Sequence, residues 1–216
     1  MTPLYELAGI VCCHGQREAL RVDALRIMPG ALLGIVGPNG SGKSTLLRLL
    51  ALLDVPAQGR LLFDGAPATP PDLAQRRQVT LLLQEPYLLH RNVLDNVGYG
   101  LAVRGVGAEA RRAVATGALQ TVGLDAQLFG PRQWFELSGG EAQRVALAAR
   151  LALSPRVLLM DEPTASVDEE SAQRICDAAR AAHAQGTTVV VVSHDRDWLQ
   201  TLTTDVLRLR GGRVID

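Results

Sequence analysis

The stretch Gly37–Ser44, with the sequence GPNGSGKS, has the residue types and the spacing of a phosphate-binding loop. It satisfies the pattern G-x-x-x-x-G-K-[ST]. The context also fits, because the apolar run Ala31–Val36 predicts a preceding buried strand and the apolar stretch Ser44–Leu53 predicts a following helix. A glycine-rich turn with an exposed lysine is the alternative, and it leaves most of the matching positions unexplained.

The chemistry of this loop follows from its glycines and from its last two side chains. Glycine tolerates the backbone that turns successive N–H groups toward one anion, and the start of a helix adds partial positive charge there. We expect Lys43 to reach the β- and γ-phosphates of a nucleotide and the Ser44 hydroxyl to ligate Mg²⁺. The residues expected to contact the nucleotide here are Gly37, Pro38, Asn39, Gly40, Ser41, Gly42, Lys43, Ser44 and Thr45.

Two adjacent carboxylates, Asp161 and Glu162, follow the apolar run Val157–Met160. Adjacent side chains on a strand point to opposite sides, so the two acids reach different points near a bound nucleotide. We assign Asp161 to the metal, directly or through water, and Glu162 to the attacking water, as general base or as a positioning group. A turn with two solvated acids is the alternative, and the phosphate loop elsewhere in the chain favours the functional interpretation.

Gln84 and His194 come at the ends of two further apolar runs, Thr80–Leu83 and Thr188–Val192. Ligands of open α/β sheets bind at the carboxyl ends of the strands, so we expect both side chains at one crevice. The amide of Gln84 suits contact with a metal or a water, and His194 can donate to a γ-phosphate oxygen. Either residue alone is more often a polar side chain at a sheet edge.

The segment LSGGE predicts the start of a helix that continues to Leu153, because its serine and glutamate have the spacing of a capping box. A capping box does not explain two glycines in the first turn, each of which costs about 1 kcal/mol relative to alanine. Bare N–H groups at a helix start bind anions, so we interpret this segment as a second phosphate-contacting surface. Its residues are Ser138, Gly139, Gly140 and Glu141.

Composition and charge argue against several classes of protein. The 22 basic and 22 acidic residues form no run of like charge, so nucleic acid is not expected as a partner. The longest stretch without an ionisable Asp, Glu, Lys or Arg has 16 residues and is rich in glycine, so we expect no transmembrane helix. The N-terminal residues lack a secretory pattern, which predicts a cytoplasmic protein. Three cysteines without C-x-x-C spacing predict reduced, mostly buried thiols.

The pattern along the 216 residues predicts one α/β domain. Loose alternation over the first thirty residues predicts short strands of a half-exposed sheet. The glycine-interrupted stretch Asn92–Val122 predicts an inserted helical lobe, and Val206–Leu209 with Arg213–Ile215 predicts a terminal hairpin. A second capping box, over Ser166–Glu169, predicts the start of a helix that runs through Arg180.

Taken in order, GPNGSGKST, Gln84, LSGGE, VLLMDEP, SVD and the Ser193–Asp195 stretch resemble the nucleotide-binding subunit of ABC transporters over nearly the whole chain. LSGG is the discriminating element, since many NTPases share the phosphate loop and the carboxylate strand. The resemblance implies an α/β P-loop NTPase fold with a mostly parallel central sheet, a small antiparallel β subdomain and an inserted helical lobe. It also implies one domain over 1–216, in which 1–84 and 155–216 form the RecA-like core with the antiparallel part and 85–154 form the helical lobe.

The same resemblance implies ATP hydrolysis assisted by Mg²⁺. The expected metal ligands are Ser44, Gln84 and Asp161. The expected catalytic residues are Lys43, Glu162 and His194. In this family two cassettes close head to tail, so that Ser138–Glu141 of one copy cover the γ-phosphate that is bound by the other.

The implied partners are a second cassette and transmembrane permease subunits, which would hold the chain on the inner face of the cell membrane. The segment from Gln84 through Tyr87 and the helical lobe would receive a coupling helix of the permease, and Ser166–Asp168 would link the two active sites. A complex of this kind can include an extracytoplasmic solute-binding protein. The stretches Leu83–Gly100 and EPTASVDEES are similar to cassettes of tungstate- and molybdate-type oxyanion importers.

Two places depart from the family pattern. One is Ser166-Val167, where the family more often has Ala-Leu or similar before Asp168, and we expect this difference to be tolerated. The family usually stacks an aromatic side chain on adenine near the place where this chain has His14, so we expect an imidazole there with less π surface and weaker purine selectivity. Three other functions stay open. They are an exporter cassette for lipids, lipoproteins or peptides, an ABC ATPase that moves no substrate, and a nucleotide-switched binding module whose hydrolysis is incidental.

Overall fold

The computed structural model describes residues 2–68 and 71–215, and within them ten strands form one mixed sheet in the order β5-β4-β1-β2-β10-β9-β3-β8-β7-β6. The strands are β1 (Tyr5–His14), β2 (Arg17–Ile27), β3 (Leu32–Val36), β4 (Gln58–Phe63), β5 (Ala66–Pro67), β6 (Val79–Leu82), β7 (Val157–Asp161), β8 (Thr188–Val192), β9 (Val206–Arg210) and β10 (Arg213–Val214). The helices are α1 (Lys43–Leu50), α2 (Leu73–Arg76), α3 (Val93–Val103), α4 (Ala108–Thr121), α5 (Ala126–Phe129), α6 (Gly139–Leu151), α7 (Glu169–Ala184) and α8 (Arg196–Leu202), with a 3₁₀ turn at Trp134–Glu136.

The parallel half of the sheet is built from apolar runs that are buried along most of their length. β3 pairs in parallel with both β8 and β9, and β7 pairs in parallel with β8. Strands that are covered on both faces bury successive side chains, so these runs do not alternate between apolar and polar residues. In the register, Val192 is opposite both Ile35 and Asp161. The carboxyl ends of β3, β7 and β8 therefore lie side by side at one edge of the sheet.

The antiparallel half consists of β1, β2, β4 and β5, with β1 paired to both β2 and β4. β1 and β2 have 10 and 11 residues, so the prediction of strands here is confirmed but the expected short lengths are wrong. The Tyr5 hydroxyl of β1 donates to the Leu50 carbonyl at 2.7 Å and thereby holds the end of α1 against this half. β9 and β10 form the predicted antiparallel terminal hairpin. The mixed sheet confirms the predicted fold class.

The chain divides into two compact units. The sheet unit contains Met1–Leu81, Arg156–Glu162 and His183–Asp216, and the helical unit contains Leu82–Pro155 and Pro163–Ala182. Within the helical unit, α3 and α4 confirm the helices that were predicted over Asn92–Val122. All three cysteines are free, with Cys12 and Cys176 buried and Cys13 exposed. Among residues 2–68 and 71–215, no helix combines the length and the apolar character that a bilayer span requires.

Candidate active site

The predicted phosphate loop is the connection between β3 and α1 in the sheet unit. Gly42, which caps α1, has a φ of 98°, and Gly40 has a φ of 73°, so both lie in the left-handed region that strains any residue with a Cβ. No side chain within the described residues caps the first turn of α1. The N–H groups of this turn are therefore available to an anion.

Close packing fixes the shape of the loop. A Cβ on Gly37 would lie 2.6 Å from Ser41 Oγ, and a Cβ on Gly42 would lie 2.9 Å from the Ala19 carbonyl oxygen. The Gly212 N–H donates to the Ser41 carbonyl at 3.1 Å. The loop thus rests on β2 and on the turn between β9 and β10, with no room for side chains at these two glycines.

Lys43 and Ser41 give the loop its polar character. Lys43 is only 8% exposed, and its Nζ donates to the carbonyl oxygens of Gly37 at 2.8 Å and Pro38 at 3.1 Å. The hydroxyl of Ser41 is buried and has no hydrogen-bond partner within the described residues. An ammonium group, a free hydroxyl and uncapped N–H groups in one turn fit the oxygens of a phosphate chain.

Asp161, the last residue of β7, forms a hydrogen bond with the Ser44 side chain in the first turn of α1. Burial raises the pKa of Asp161 above its ordinary value, and the nearby charge of Glu162 raises it further. The hydrogen bond from Ser44 and the charge of Lys43 lower this pKa, but they do not cancel the effect of burial. A hydroxyl and a carboxylate are the hard oxygen ligands that Mg²⁺ prefers. A cation would also relieve the cost of a buried carboxylate, so this pair fits a magnesium ion.

Glu162 comes directly after β7 and has an unusual backbone. Its φ is 46°, which is uncommon for a residue with a side chain. Its N–H donates to the Val192 carbonyl at 2.9 Å. Its Oε2 accepts hydrogen bonds from His194, from the backbone N–H at 3.0 Å and from the ring Nδ1 at 2.7 Å. Because the carboxylate accepts, Nδ1 carries a proton and Nε2 is left for another partner.

The sheet unit brings together most of the predicted site residues. Lys43, Ser44 and Asp161 form one cluster, and Glu162 with His194 lies beside Asp161 along the chain. His14 is exposed at the end of β1. Its charge contributes to lowering the pKa of Asp54, after the larger effect of the hydrogen bond from Arg48.

The helical unit holds the remaining predicted residues, Gln84 and Ser138–Glu141. Gln84 is exposed and follows β6 by two residues. The capping box that was predicted at Ser138 is confirmed, because Glu141 N donates to Ser138 Oγ at 3.2 Å and Ser138 N donates to the Glu141 carboxylate at 2.7 Å. Gly139 has space on its outer side, since the nearest atom to an added Cβ would be the Ser166 carbonyl oxygen at 3.4 Å.

The structure gives a reason for a glycine at position 140 that the sequence did not reveal. A Cβ there would lie 2.6 Å from Asp168 Oδ2 and closer still to Ser171 Oγ. Gly140 is therefore required where α6 packs on the start of α7, and the contact of both glycines with an anion stays a prediction. Nothing in the local sequence indicates which residues pack on this glycine.

The second predicted capping box is wrong. Helix α7 begins at Glu169, and Asp168 rather than Ser166 accepts the first-turn hydrogen bonds, from Ser171 N at 2.8 Å and from Ser171 Oγ at 2.9 Å. Asp is as good an N-cap as Ser, so the sequence contained two competing caps two residues apart. These hydrogen bonds hold the pKa of Asp168 below its ordinary value.

The sequence profile of the ABC transporter family matches residues 20–165, which include the phosphate loop, the LSGGE segment and the two carboxylates. The chain belongs to the ABC transporter family. It is an ATP-binding cassette and an ATPase of that family. The resemblance drawn from the motifs is thereby confirmed.

Two relatives and one solved structure show how far the similarity extends. The tungstate uptake system ATP-binding protein TupC of Peptoclostridium acidaminophilum is 34% identical over 206 residues, which cover 93% of this chain and 92% of TupC. The Fe(3+) ions import ATP-binding protein FbpC of Rhizobium etli is 39% identical over 88% of this chain, but the match spans only 54% of FbpC. The ATP-binding cassette MJ0796, a dimer bound to ADP and Pi, superposes with a TM-score of 0.88 at 30% identity over 98% of this chain and 97% of that one.

Proposed function

We propose that this ABC ATPase is the ATP-binding subunit of a membrane importer and that it works as a pair of copies. The chain would act as one cassette domain over 1–216, with 1–84 and 155–216 as the nucleotide-binding core and 85–154 as the helical lobe. The observation that carries the hydrolytic part of this proposal is the hydrogen-bonded pair of Glu162 and His194, placed next to a carboxylate that already contacts the phosphate-loop helix. A phosphate-binding module without hydrolysis would not need this pair.

The phosphate loop and its neighbours would bind the nucleotide. Backbone N–H groups of Gly40–Thr45 and the Lys43 ammonium would contact the phosphate oxygens. Ser44 and Asp161, with Gln84, would hold Mg²⁺, which when bound neutralises part of the phosphate charge. His14 would lie against the adenine ring, where its imidazole offers less surface than a tyrosine.

Glu162 and His194 would activate the attacking water. Oε1 of Glu162 would accept a proton from that water while Oε2 stays bonded to His194. Since Nδ1 donates to the carboxylate, Nε2 can donate to a γ-phosphate oxygen only when the ring is an imidazolium. An imidazolium at His194 would then place a positive charge between the Glu162 carboxylate and the γ-phosphate and stabilise the negative charge of both.

A second copy would complete each site. The start of α6, with Ser138 as its cap and Gly139 open on its outer side, offers N–H groups to the γ-phosphate that is bound by the other copy. The dimer of MJ0796, which resembles this chain over nearly its whole length, supports this pairing.

Membrane permease subunits are the proposed partners in the cell, with the cassette peripheral on the inner face of the membrane. An exposed aromatic surface in the helical unit supports this proposal. Tyr87 is 74% exposed and Phe135 is 68% exposed. Beside Phe135, the rings of His90 and Trp134 stack with centroids 4.7 Å apart. Exposed aromatic surface of this kind is typical of a docking site for another protein.

The proposed cargo is an oxyanion of the tungstate or molybdate type. TupC supports it, because the match with TupC covers nearly all of both chains, whereas the match with FbpC covers about half of FbpC. An extracytoplasmic solute-binding protein would deliver the anion to the permease.

The decisive test of the enzymatic proposal is Glu162→Gln, with the exposed Glu170→Gln of α7 as the matched control. We expect Glu162→Gln to retain ATP binding, to lose ATPase activity by about 10²- to 10³-fold and to accumulate as a dimer in ATP. Steady-state ATPase assays and analytical ultracentrifugation measure these quantities. A Glu162→Gln protein that hydrolyses ATP at the wild-type rate or stays monomeric in saturating ATP would contradict the proposal.

The cargo is tested on the intact membrane complex. Mass spectrometry of proteins that co-purify with the cassette identifies the permease and any solute-binding protein. Calorimetric titration of that solute-binding protein with tungstate, molybdate, sulfate and ferric iron then identifies the cargo. Selective binding of sulfate or iron, or the recovery of an exporter, would contradict the oxyanion proposal and leave the ATPase proposal intact.

A further inference from the structure

We propose that Gln143 of α6 is a positioning residue for Gln84. The side-chain Nε2 of Gln143 donates to the Leu83 carbonyl at 3.1 Å, and Leu83 directly precedes Gln84 in the chain. All three residues lie in the helical unit. This inference rests on the proposed role of Gln84 as a metal ligand.

The environment of Gln143 is unusual for an amide. The residue is 1% exposed, and its Oε1 has no hydrogen-bond partner within the described residues. An apolar side chain of the same size would occupy this position without leaving an acceptor unpaired. Among residues 2–68 and 71–215, the one hydrogen bond of this side chain, which an apolar side chain could not replace, is the bond to Leu83. Packing alone therefore does not account for a glutamine at this position.

The carbonyl that Gln143 holds lies where the chain leaves the sheet. β6 ends at Leu82, and Leu83 is already 44% exposed, so little packing fixes the chain beyond this point. The plane of the Leu83 peptide sets the direction of the Gln84 backbone N–H, because both groups belong to the same peptide unit. A hydrogen bond to that carbonyl therefore orients Gln84 without touching it.

The helix that carries Gln143 is itself held firmly at its start. One turn earlier, Gly140 packs so closely on Asp168 and Ser171 that a Cβ would not fit. The Ser138 capping box closes the same turn. Gln143 thus connects the segment of Gln84 to the helix whose start is the proposed contact with the second copy. A shift of that helix start would be transmitted to Gln84 through one hydrogen bond.

The test is Gln143→Met, which keeps the size of the side chain and removes the donor. In the nucleotide-free protein we expect backbone amides of 83–87 to exchange hydrogen several-fold faster by mass spectrometry, while the melting temperature stays equal or rises. In the ATPase assay we expect kcat to fall about tenfold and the half-saturating Mg²⁺ concentration to rise about tenfold, with the KM for ATP little changed. The control Val145→Ala, on the same helix and 0% exposed, should lower the melting temperature and leave the Mg²⁺ dependence unaltered.

The double variant Gln84→Ala with Gln143→Met separates positioning from packing. If Gln143 acts through Gln84, the double variant has the same Mg²⁺ dependence as Gln84→Ala alone. Additive losses, or unchanged exchange at 83–87 in Gln143→Met, would overturn the inference while leaving the ATPase proposal in place. A normal Mg²⁺ dependence in Gln84→Ala would instead remove the metal-ligand role of Gln84, and this inference with it.

Discussion

Glu162 Oε2 accepts two hydrogen bonds from the same residue, one from the backbone N–H of His194 at 3.0 Å and one from its ring Nδ1 at 2.7 Å. The backbone bond persists in any variant of His194 that keeps the local fold. Substitution at His194 therefore removes the ring contact alone, and the Glu162 carboxylate stays anchored by the main chain.

We predict that His194→Ala lowers kcat for ATP hydrolysis by about 10- to 100-fold, because a hydrogen bond to a charged group contributes about 1.5–3 kcal/mol. The KM for ATP should change little, since the phosphate loop is untouched. Steady-state kinetics measure both quantities. His90→Ala, which removes an exposed histidine of the helical unit, should retain wild-type kinetics in the isolated protein. A kcat for His194→Ala within twofold of wild type would show that the ring does not assist Glu162.

The sequence was sufficient to predict the parts of this site whose chemistry is local. The phosphate loop, the capping box at Ser138 and the two carboxylates after β7 each combine residue types that act within a few positions of one another. The parallel strands were also predictable, because burial on both faces produces an uninterrupted apolar run.

Other features depend on contacts between distant segments, and the sequence did not indicate them. The positive φ of Glu162 accompanies the hydrogen bond of its N–H to Val192, which lies thirty positions away in the chain. Gly140 must be a glycine because Asp168 and Ser171 pack against it. The path of the chain also determines that Asp168, and not Ser166, caps α7. Such features follow from tertiary packing and are not encoded in any short motif.

The two glycines of α6 should respond differently to the same change. We predict that Gly140→Ala lowers the free energy of unfolding by about 1–3 kcal/mol, because its methyl group would overlap Asp168 and Ser171. Gly139→Ala should leave that free energy unchanged or slightly raised, since its outer side is open and alanine is the better helix former. Urea denaturation followed by tryptophan fluorescence measures both values.

Activity provides the second half of this comparison. If the proposed pairing of copies is right, Gly139→Ala should still lose most of its ATPase activity, because the methyl group would occupy the surface proposed to contact the γ-phosphate of the other copy. Equal losses of stability in the two variants would contradict the packing role of Gly140. Full activity in Gly139→Ala would contradict the contact between copies.

The raised pKa of Asp161 predicts an unusual pH dependence of stability. An acid whose pKa is higher in the folded state contributes stability only while it is protonated, and this contribution is lost as the pH rises through the folded pKa. In Mg²⁺-free buffer, Asp161→Asn should therefore be more stable than wild type at pH 7. The difference should shrink as the pH falls toward 3.8, the ordinary value of an aspartate.

Thermal and urea unfolding between pH 7 and pH 4 measure this difference directly. The control is Asp177→Asn on α7, an exposed aspartate that accepts a hydrogen bond from Gln173. It should show no comparable gain at pH 7. A destabilised Asp161→Asn protein at pH 7 would mean that the hydrogen bond to Ser44 outweighs the cost of burying the charge.

The position of His14 predicts a change in nucleotide preference on substitution by tyrosine. His14 is exposed at the end of β1, so a larger ring can be accommodated without repacking the core. Loss of its charge near Asp54 should be harmless, because Arg48 bonds that carboxylate at 2.7 Å and 2.8 Å. If this residue stacks on the base, His14→Tyr should tighten ATP binding by about 2- to 10-fold, as expected for about 0.5–1.5 kcal/mol of added aromatic stacking.

Competition titrations with a fluorescent nucleotide give the affinities for ATP and GTP, and His14→Ala, which removes the ring, should weaken both. Unchanged affinities for both nucleotides in both variants would show that the base binds elsewhere.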